Sequence, residues 1–368
     1  MFLVVFLSLY LLSATVTFLF YRKNFEFLRT KSGMILWLCA SFALWVSRPF
    51  SNFFPDAFVK YLSLFGGFWI FFLYYSLLLT VAGTILSLVL KSFGTKGASS
   101  SVIMRRLTRA GILFIIACMT AGFFEAYNPT VRHEKILSVK VDKPTRIVFA
   151  SDLHLGFFLG RSYAEQFVKE VNGQNADIVL LGGDIIDNDY DVVKRQQSLL
   201  PLAKIDSKLG VSAVFGNHDY LGQSYNELAS DLARMNVNVL IDKDTEYGQI
   251  RVVGLTDYSK DRSAEYLAGN LDSRKNVFNI LLEHQPRRIK TASDAGYDLY
   301  LAGHTHGGAF FPNHVLTALV NDFNYGRKNF GDMTAIVTSG YGYFGIPVRL
   351  GAGPEIVVID IVPLKTDK

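Results

Sequence analysis

Hydrophobic residues follow two different rhythms along this chain. Early on they form four long apolar runs, Met1 to Tyr21, Met34 to Ser47, Tyr61 to Leu90 and Ala110 to Tyr127. Runs that are apolar on every side predict helices in a core or in lipid, and crossing a hydrocarbon layer takes about 20 helical residues. The first, third and fourth runs meet that length, and the second meets it only by borrowing Arg48, Pro49 and Phe50. From Thr145 the rhythm changes to short β-branched segments: Arg146 to Ala150, Asp177 to Leu181, Val211 to Phe215, Val237 to Ile241, Ile250 to Leu255, Phe278 to Leu282, Leu299 to Ala302, Thr334 to Thr338 and Ile356 to Ile361. Such segments predict strands. Amphipathic stretches between the early ones, Ser162 to Val171 and Val192 to Ile205, predict helices. Strand and helix in alternation predict an α/β architecture, and the crowding of later strands predicts antiparallel additions to the sheet. The shift in composition across Thr130 to Pro144 divides a membrane domain, 1–130, from a second domain, 131–368.

Charge sharpens this division. Of 37 Lys+Arg and 32 Asp+Glu in the chain, residues 1–130 hold 11 and 3, a net +8, which leaves 26 and 29, a net −3, for the rest. The basic excess therefore lies between apolar runs, and a net-acidic second domain is a poor partner for nucleic acid. Lys and Arg collect after the first run (Arg22, Lys23, Arg29, Lys31) and after the third (Lys91, Lys96, Arg105, Arg106, Arg109), with only Arg48 and Lys60 after the second. Nine against two predicts cytoplasmic first and third loops, four spans, and a second domain on the outer face. Both cysteines, Cys39 and Cys118, fall inside apolar runs, so disulfides give no reading of the compartment.

Met1 opens directly into the first run without a basic segment or a small-residue cleavage site, so that run is expected to stay as a helix. No pair of ionisable residues interrupts the runs, which removes support for a transporter and leaves a simple anchor as the expected role. A later apolar stretch, Ala309 to Val320, is too short to span. It is expected to cover the core, the alternative being a lip that dips into the membrane interface.

The chemistry-bearing residues sit where predicted strands end. "FASDLHLG" supplies Asp152 and His154, "LLGGDIID" supplies Asp184, and "VFGNHDY" supplies Asn217, His218 and Asp219; "ILLEHQP" supplies His284, and "YLAGHTHGG" supplies His304 and His306. The carboxyl ends of strands in an α/β sheet share an edge, so these segments can meet. Carboxylates, an amide oxygen and imidazoles without thiolate suit manganese, iron or zinc. There are too many for one ion. Two ions about 3.5–4 Å apart, bridged by a carboxylate, would use them all and activate a water for in-line attack on phosphorus.

In order, Asp-x-His, Gly-Asp, Gly-Asn-His-Asp, His and Gly-His-x-His resemble the signature of the calcineurin-like metallophosphoesterase superfamily. "GHTHGG" and the late "GIPVRLGAGPEI" further resemble a membrane-associated bacterial branch. The resemblance implies an α/β/β/α sandwich after the multi-pass helical domain. It implies that Asp152, His154 and His306 hold one metal, that Asn217, His284 and His304 hold the other, and that Asp184 bridges them. It also implies that His218 protonates the leaving oxygen and that Asp219 orients His218. Two positions depart from the branch: Ala309 stands where Gln is common, and Glu283 stands before the fifth-segment histidine. Neither is a ligand position. His133 and His314 match no motif position and are expected at the surface.

The expected function is hydrolysis of a phosphate ester or anhydride on a lipid-linked substrate. It would be carried out by two divalent ions, manganese first and iron or zinc as alternatives, in a bacterial inner-membrane protein whose catalytic domain faces outward. The alternatives are a phosphodiesterase on soluble compounds, a cytoplasmic-face lipid A precursor pyrophosphatase, and a non-catalytic sensor of metal or phosphate.

Overall fold

The computed structural model describes residues 2–47, 53–93, 98–221, 224–260 and 276–364. Arg48, Pro49, Phe50 and Lys96, on which the second span and part of the loop-charge reading rest, lie outside the described residues. The chain divides into two compact units, Met1–Phe124 with Gly345–Val348, and Glu125–Phe344 with Arg349–Lys368.

The first unit is helical: α1 (Phe2–Asn24), α2 (Lys31–Ser47), α3 (Asp56–Ser92) and α4 (Ala98–Ala126). Two stretches, Asp56–Leu90 and Val102–Ala126, are long and apolar enough to cross a membrane. At 17 residues, α2 falls short of that length. The helices are tied by polar contacts from aromatic side chains. Tyr10 donates to the Ser41 carbonyl at 2.6 Å, Trp37 to the Ala14 carbonyl at 3.2 Å, and Tyr21 to the Ser76 hydroxyl at 2.8 Å. Bonds of this kind join α1 to α2 and α3 without any charged group, as suits packing where the surroundings offer no water.

The second unit contains two six-stranded sheets. Along the chain its strands are β1 (Thr130–Ser138), β2 (Thr145–Ala150), β3 (Ile178–Gly182), β4 (Gly210–Val214), β5 (Val237–Val239), β6 (Lys243–Tyr247), β7 (Ile250–Gly254), β8 (Phe278–Leu282), β9 (Leu299–Ala302), β10 (Gly326–Phe330), β11 (Met333–Val337) and β12 (Glu355–Pro363). One sheet runs β1-β12-β2-β3-β4-β5, and the other β10-β11-β9-β8-β7-β6. Alternate residues of the two sheets, among them Ile147, Phe149, Leu180, Val214, Val252, Ile280, Leu301 and Ile359, form one buried core. This is sheet-on-sheet packing with period-2 side chains interleaved. The outer face of the second sheet buries Leu281, Tyr300, Ala335 and Val337 against Ile289 and Ala292 of the helix Ile289–Asp294. The predicted sandwich of mixed sheets is present.

Three strands depart from expectation. β1 occupies part of the stretch taken as a boundary and pairs in parallel with β12 along its length. Only Tyr127, Asn128 and Pro129 separate α4 from β1. β6 and β10 pair antiparallel with β7 and β11. All three are sheet edges with many polar or charged residues and few buried positions, so they lack the apolar alternation that marks inner strands. The helix predicted over 192–205 is two pieces, Tyr190–Arg195 and a 3-10 turn Leu200–Lys204 carrying Pro201. The covering role expected of 309–320 is not found: the helix Asn313–Val320 buries no residue, and Phe311, Val315, Leu316, Leu319 and Val320 are exposed.

Candidate metal centre

β2, β3 and β4 are parallel neighbours in one sheet, as are β7, β8, β9 and β11 in the other. Their carboxyl ends bring the strand-end segments to one edge. Backbone bonds lock them together: Asp152 N–H donates to the Gly183 carbonyl and His154 N–H to the Asp184 carbonyl, each at 2.9 Å. The turns are tight enough to force left-handed conformations at Asp152 (φ 58°), His154 (48°), Asp184 (50°), His304 (71°) and His306 (50°). Non-glycine residues adopt that region at a cost and do so mostly where surrounding structure and function require it. Five of seven predicted ligands share this feature.

Among the described residues the side chains converge in three groups, two of which consist of predicted ligands alone. Asp152, His154 and His306 present ligand atoms within 4.8 Å of one another, and so do Asp184, His284 and His304. The Nε2 atoms of His154 and His306 face each other at 3.1 Å. Two nitrogens bound to one ion at about 2.1 Å would stand about 3.0–3.4 Å apart, so this spacing fits a shared cation. Asp184 lies between the groups. Its Oδ2 is 3.1 Å from His284 Nε2 and 3.8 Å from His154 Nε2, and its Oδ1 accepts the His218 backbone N–H at 2.8 Å. The buried Asn217 Oδ1 has no hydrogen-bond partner. Burying such an acceptor unsatisfied is unfavourable, and a cation would satisfy it. His284 Nδ1 is 2.8 Å from the Gly182 carbonyl, which assigns the proton to Nδ1 and leaves Nε2 for an ion. The residues fit a pair of divalent ions.

Electrostatics suit ligand duty at three of the four histidines. Burial holds His154 and His304 down at about 4, and burial followed by the Arg349 charge holds His306 well below its ordinary value. All three are therefore unprotonated near neutral pH. Burial also opposes charge on His284, but the Asp184 carboxylate outweighs it and raises that imidazole. Asp184 itself is desolvated, yet His284 and His154 keep it ionised.

His218 stands outside the two predicted-ligand groups, in the third group with His154 and Asp187. Its ring stands edge-on to His154 with centroids 4.8 Å apart and lies 4.4 Å from the half-exposed Phe344 ring. The expected pairing of His218 with Asp219 is not found. Asp219 instead accepts the backbone N–H groups of Ile186 at 3.0 Å and Gly216 at 2.8 Å, which pins the β3 and β4 loops together. Burial, reinforced by the Asp184 charge, lifts its carboxyl to about 7. The partners of His218 are Asn188, whose Oδ1 is 2.7 Å from Nδ1, and Asp187, whose Oδ1 is 3.5 Å away. Against the opposing effect of burial, Asp187 and Asp184 raise the imidazole, which favours a proton held there. Both partners lie in and just after "GGDIID", three and four residues past Asp184.

The sequence profile of calcineurin-like phosphoesterases matches residues 145–308, the stretch that carries every one of these ligands. A metallophosphoesterase of Helicobacter pylori is 33% identical over 259 residues, covering 68% of this chain and 69% of the relative. The chain belongs to the calcineurin-like metallophosphoesterases. It is a metal-dependent phosphoester hydrolase by family. A metallophosphoesterase of Campylobacter jejuni is 30% identical over 295 residues, 77% of each chain. A Bos taurus protein named as a transmembrane protein with a metallophosphoesterase domain is 32% identical over 235 residues, 57% of this chain and 51% of that one.

In this metallophosphoesterase the two departures from the branch pattern have structural readings. Glu283 is fully buried, and its carboxylate takes Arg288 Nη1 at 2.8 Å, the Arg288 backbone N–H at 3.0 Å and the Tyr300 hydroxyl. It fastens the loop after His284. Ala309 closes the histidine turn in a left-handed conformation (φ 58°). His133 and His314 are exposed, as expected.

Proposed function

We propose that this chain is a membrane-anchored, dinuclear phosphoesterase that cleaves a phosphate ester or anhydride on a lipid-linked substrate. The observation that carries the metal chemistry is the placement of Asp184 between two imidazole-rich groups at one sheet edge. In this reading Asp152, His154 and His306 hold one ion, Asn217, His284 and His304 the other, and Asp184 both. A pair of divalent cations supplies Lewis-acid activation of water and neutralises charge on the phosphoryl oxygens. Manganese is the first expectation, with iron or zinc next. The protein's own contribution beyond ligation is His218, which gives its proton to the leaving oxygen while Asn188 and Asp187 hold the ring.

Membrane anchoring is supported by the two long apolar helices, by the aromatic hydrogen bonds that bundle α1, α2 and α3, and by the transmembrane relative. Four spans with the catalytic domain on the outer face of a bacterial inner membrane satisfy the nine-to-two distribution of Lys and Arg. The lipid substrate class is supported by the exposed apolar helix Asn313–Val320, seven residues beyond His306, which suits a lipid interface. An enzyme tethered in the bilayer also meets lipid substrates at high effective concentration.

The test compares hydrolysis of a phospholipid-borne phosphate in vesicles with hydrolysis of a soluble aryl phosphate by the full chain. Replacing Phe311, Leu316 and Leu319 with Ser should depress the first and spare the second. Equal loss on both substrates, or on neither, would contradict the lipid reading.

A further inference from the structure

Arg349, in the late "GIPVRLGAGPEI" segment, is among the most completely buried large side chains in the molecule, yet no carboxylate lies within ion-pair distance of it among the described residues. An arginine desolvated without a direct ion pair is costly, so its contacts need a reason. Nη1 donates to the His306 carbonyl at 2.9 Å, and Nη2 lies 2.5 Å from His306 Nδ1 and also donates to the Gly342 carbonyl. One residue on, Leu350 N–H donates to the Ala309 carbonyl at 2.8 Å, which fastens the same segment to the far side of the histidine turn. Gly342 in turn donates its N–H to the Asp152 carbonyl at 2.7 Å.

We propose that Arg349 is a positioning residue for one half of the metal centre, the half built from Asp152, His154 and His306. Its fork grips His306 at both ring and backbone and braces the loop that holds Asp152, while nothing in these contacts reaches Asn217, His284 or His304. Nη1 at the carbonyl and Nη2 at the ring fix the plane of His306, whose Nε2 faces His154 Nε2 at 3.1 Å. A lysine cannot reproduce this. Its single ammonium offers no planar fork with which to meet two carbonyls and a ring nitrogen together.

The inference rests on the two-ion reading of the site. Metal content and Mn²⁺ affinity of the purified full chain are measured for wild type, Arg349→Lys, Arg349→Met and, as a control, Arg146→Gln, which breaks the remote pair with Asp360. The expectation is two ions in wild type and in the control, with one ion retained and the other bound roughly 10- to 100-fold more weakly in both Arg349 variants. Raising Mn²⁺ should restore their turnover. Metal-free, the Arg349 variants should stay folded, with unfolding midpoints lowered because the His306 and Gly342 carbonyls lose their donor. Variants that keep two ions at wild-type affinity, lose both equally, or unfold when metal-free would overturn the proposal. A wild-type chain that does not bind two ions would instead overturn the two-ion reading itself.

Discussion

The Oδ1 of Asn188 lies 2.7 Å from Nδ1 of His218, and that contact, together with Asp187 at 3.5 Å, sets the orientation of the only motif histidine outside the two ligand groups. A ring donating at Nδ1 to fixed oxygens has a fixed Nε2, the geometry a proton donor needs. Replacing Asn188 with Ala, or Asp187 with Asn, should lower turnover about 10- to 100-fold with both ions retained. Steady-state kinetics with parallel metal analysis checks this, and loss of metal would assign these residues to the ligand set.

His218→Ala should go further, with turnover falling by roughly 10² to 10⁴ and bound metal unchanged. A series of aryl esters of decreasing leaving-group pKa provides the measurement. The deficit should shrink as the leaving group improves, since a good leaving group needs little protonation. A deficit constant across the series would remove His218 from that proton transfer.

Gly216 lies against Asp184: a Cβ there would overlap its carboxylate and come within 2.7 Å of the His284 ring. Neither neighbour can retreat without leaving the ligand position proposed for it. Gly216→Ala should therefore weaken metal binding and cost about 1–3 kcal/mol through overpacking. Metal titration alongside thermal unfolding tests both parts.

Glu283 supports the centre from behind. Its carboxylate pairs with Arg288 in a site closed to solvent, so Glu283→Ala would break a buried ion pair from one side and should cost about 3–5 kcal/mol. Glu283→Gln, which keeps hydrogen-bonding capacity, should cost less. Thermal unfolding of the two variants gives the order, and equal midpoints would contradict it.

The strand-end cluster was legible because each member follows a short apolar strand, and such strands announce themselves by their β-branched residues. Parallel pairing then brings strand ends together without further information. The features without a sequence signal have specific physical causes. β1, β6 and β10 are polar edges, so their sequences show no alternation around a core. The resemblance pairs Asp219 with His218 but carries no side-chain direction. They are consecutive residues of the helix Asn217–Leu221, and neighbours at that spacing point to different faces. The true partners, Asp187 and Asn188, come from another strand's loop. Arg349 stood in a conspicuous motif, but only the fold shows that its guanidinium ends on His306.

The most direct test of the two-ion account is the metal content of the purified full chain and of Asp184→Asn, measured beside hydrolysis of an aryl phosphate. Wild type should carry two divalent ions per chain, lose activity on chelation and regain it with Mn²⁺, while Asp184→Asn should lose most metal and most turnover because no neighbouring group replaces a carboxylate shared by both halves. An Asp184→Asn protein with two ions and near-normal turnover would contradict the account.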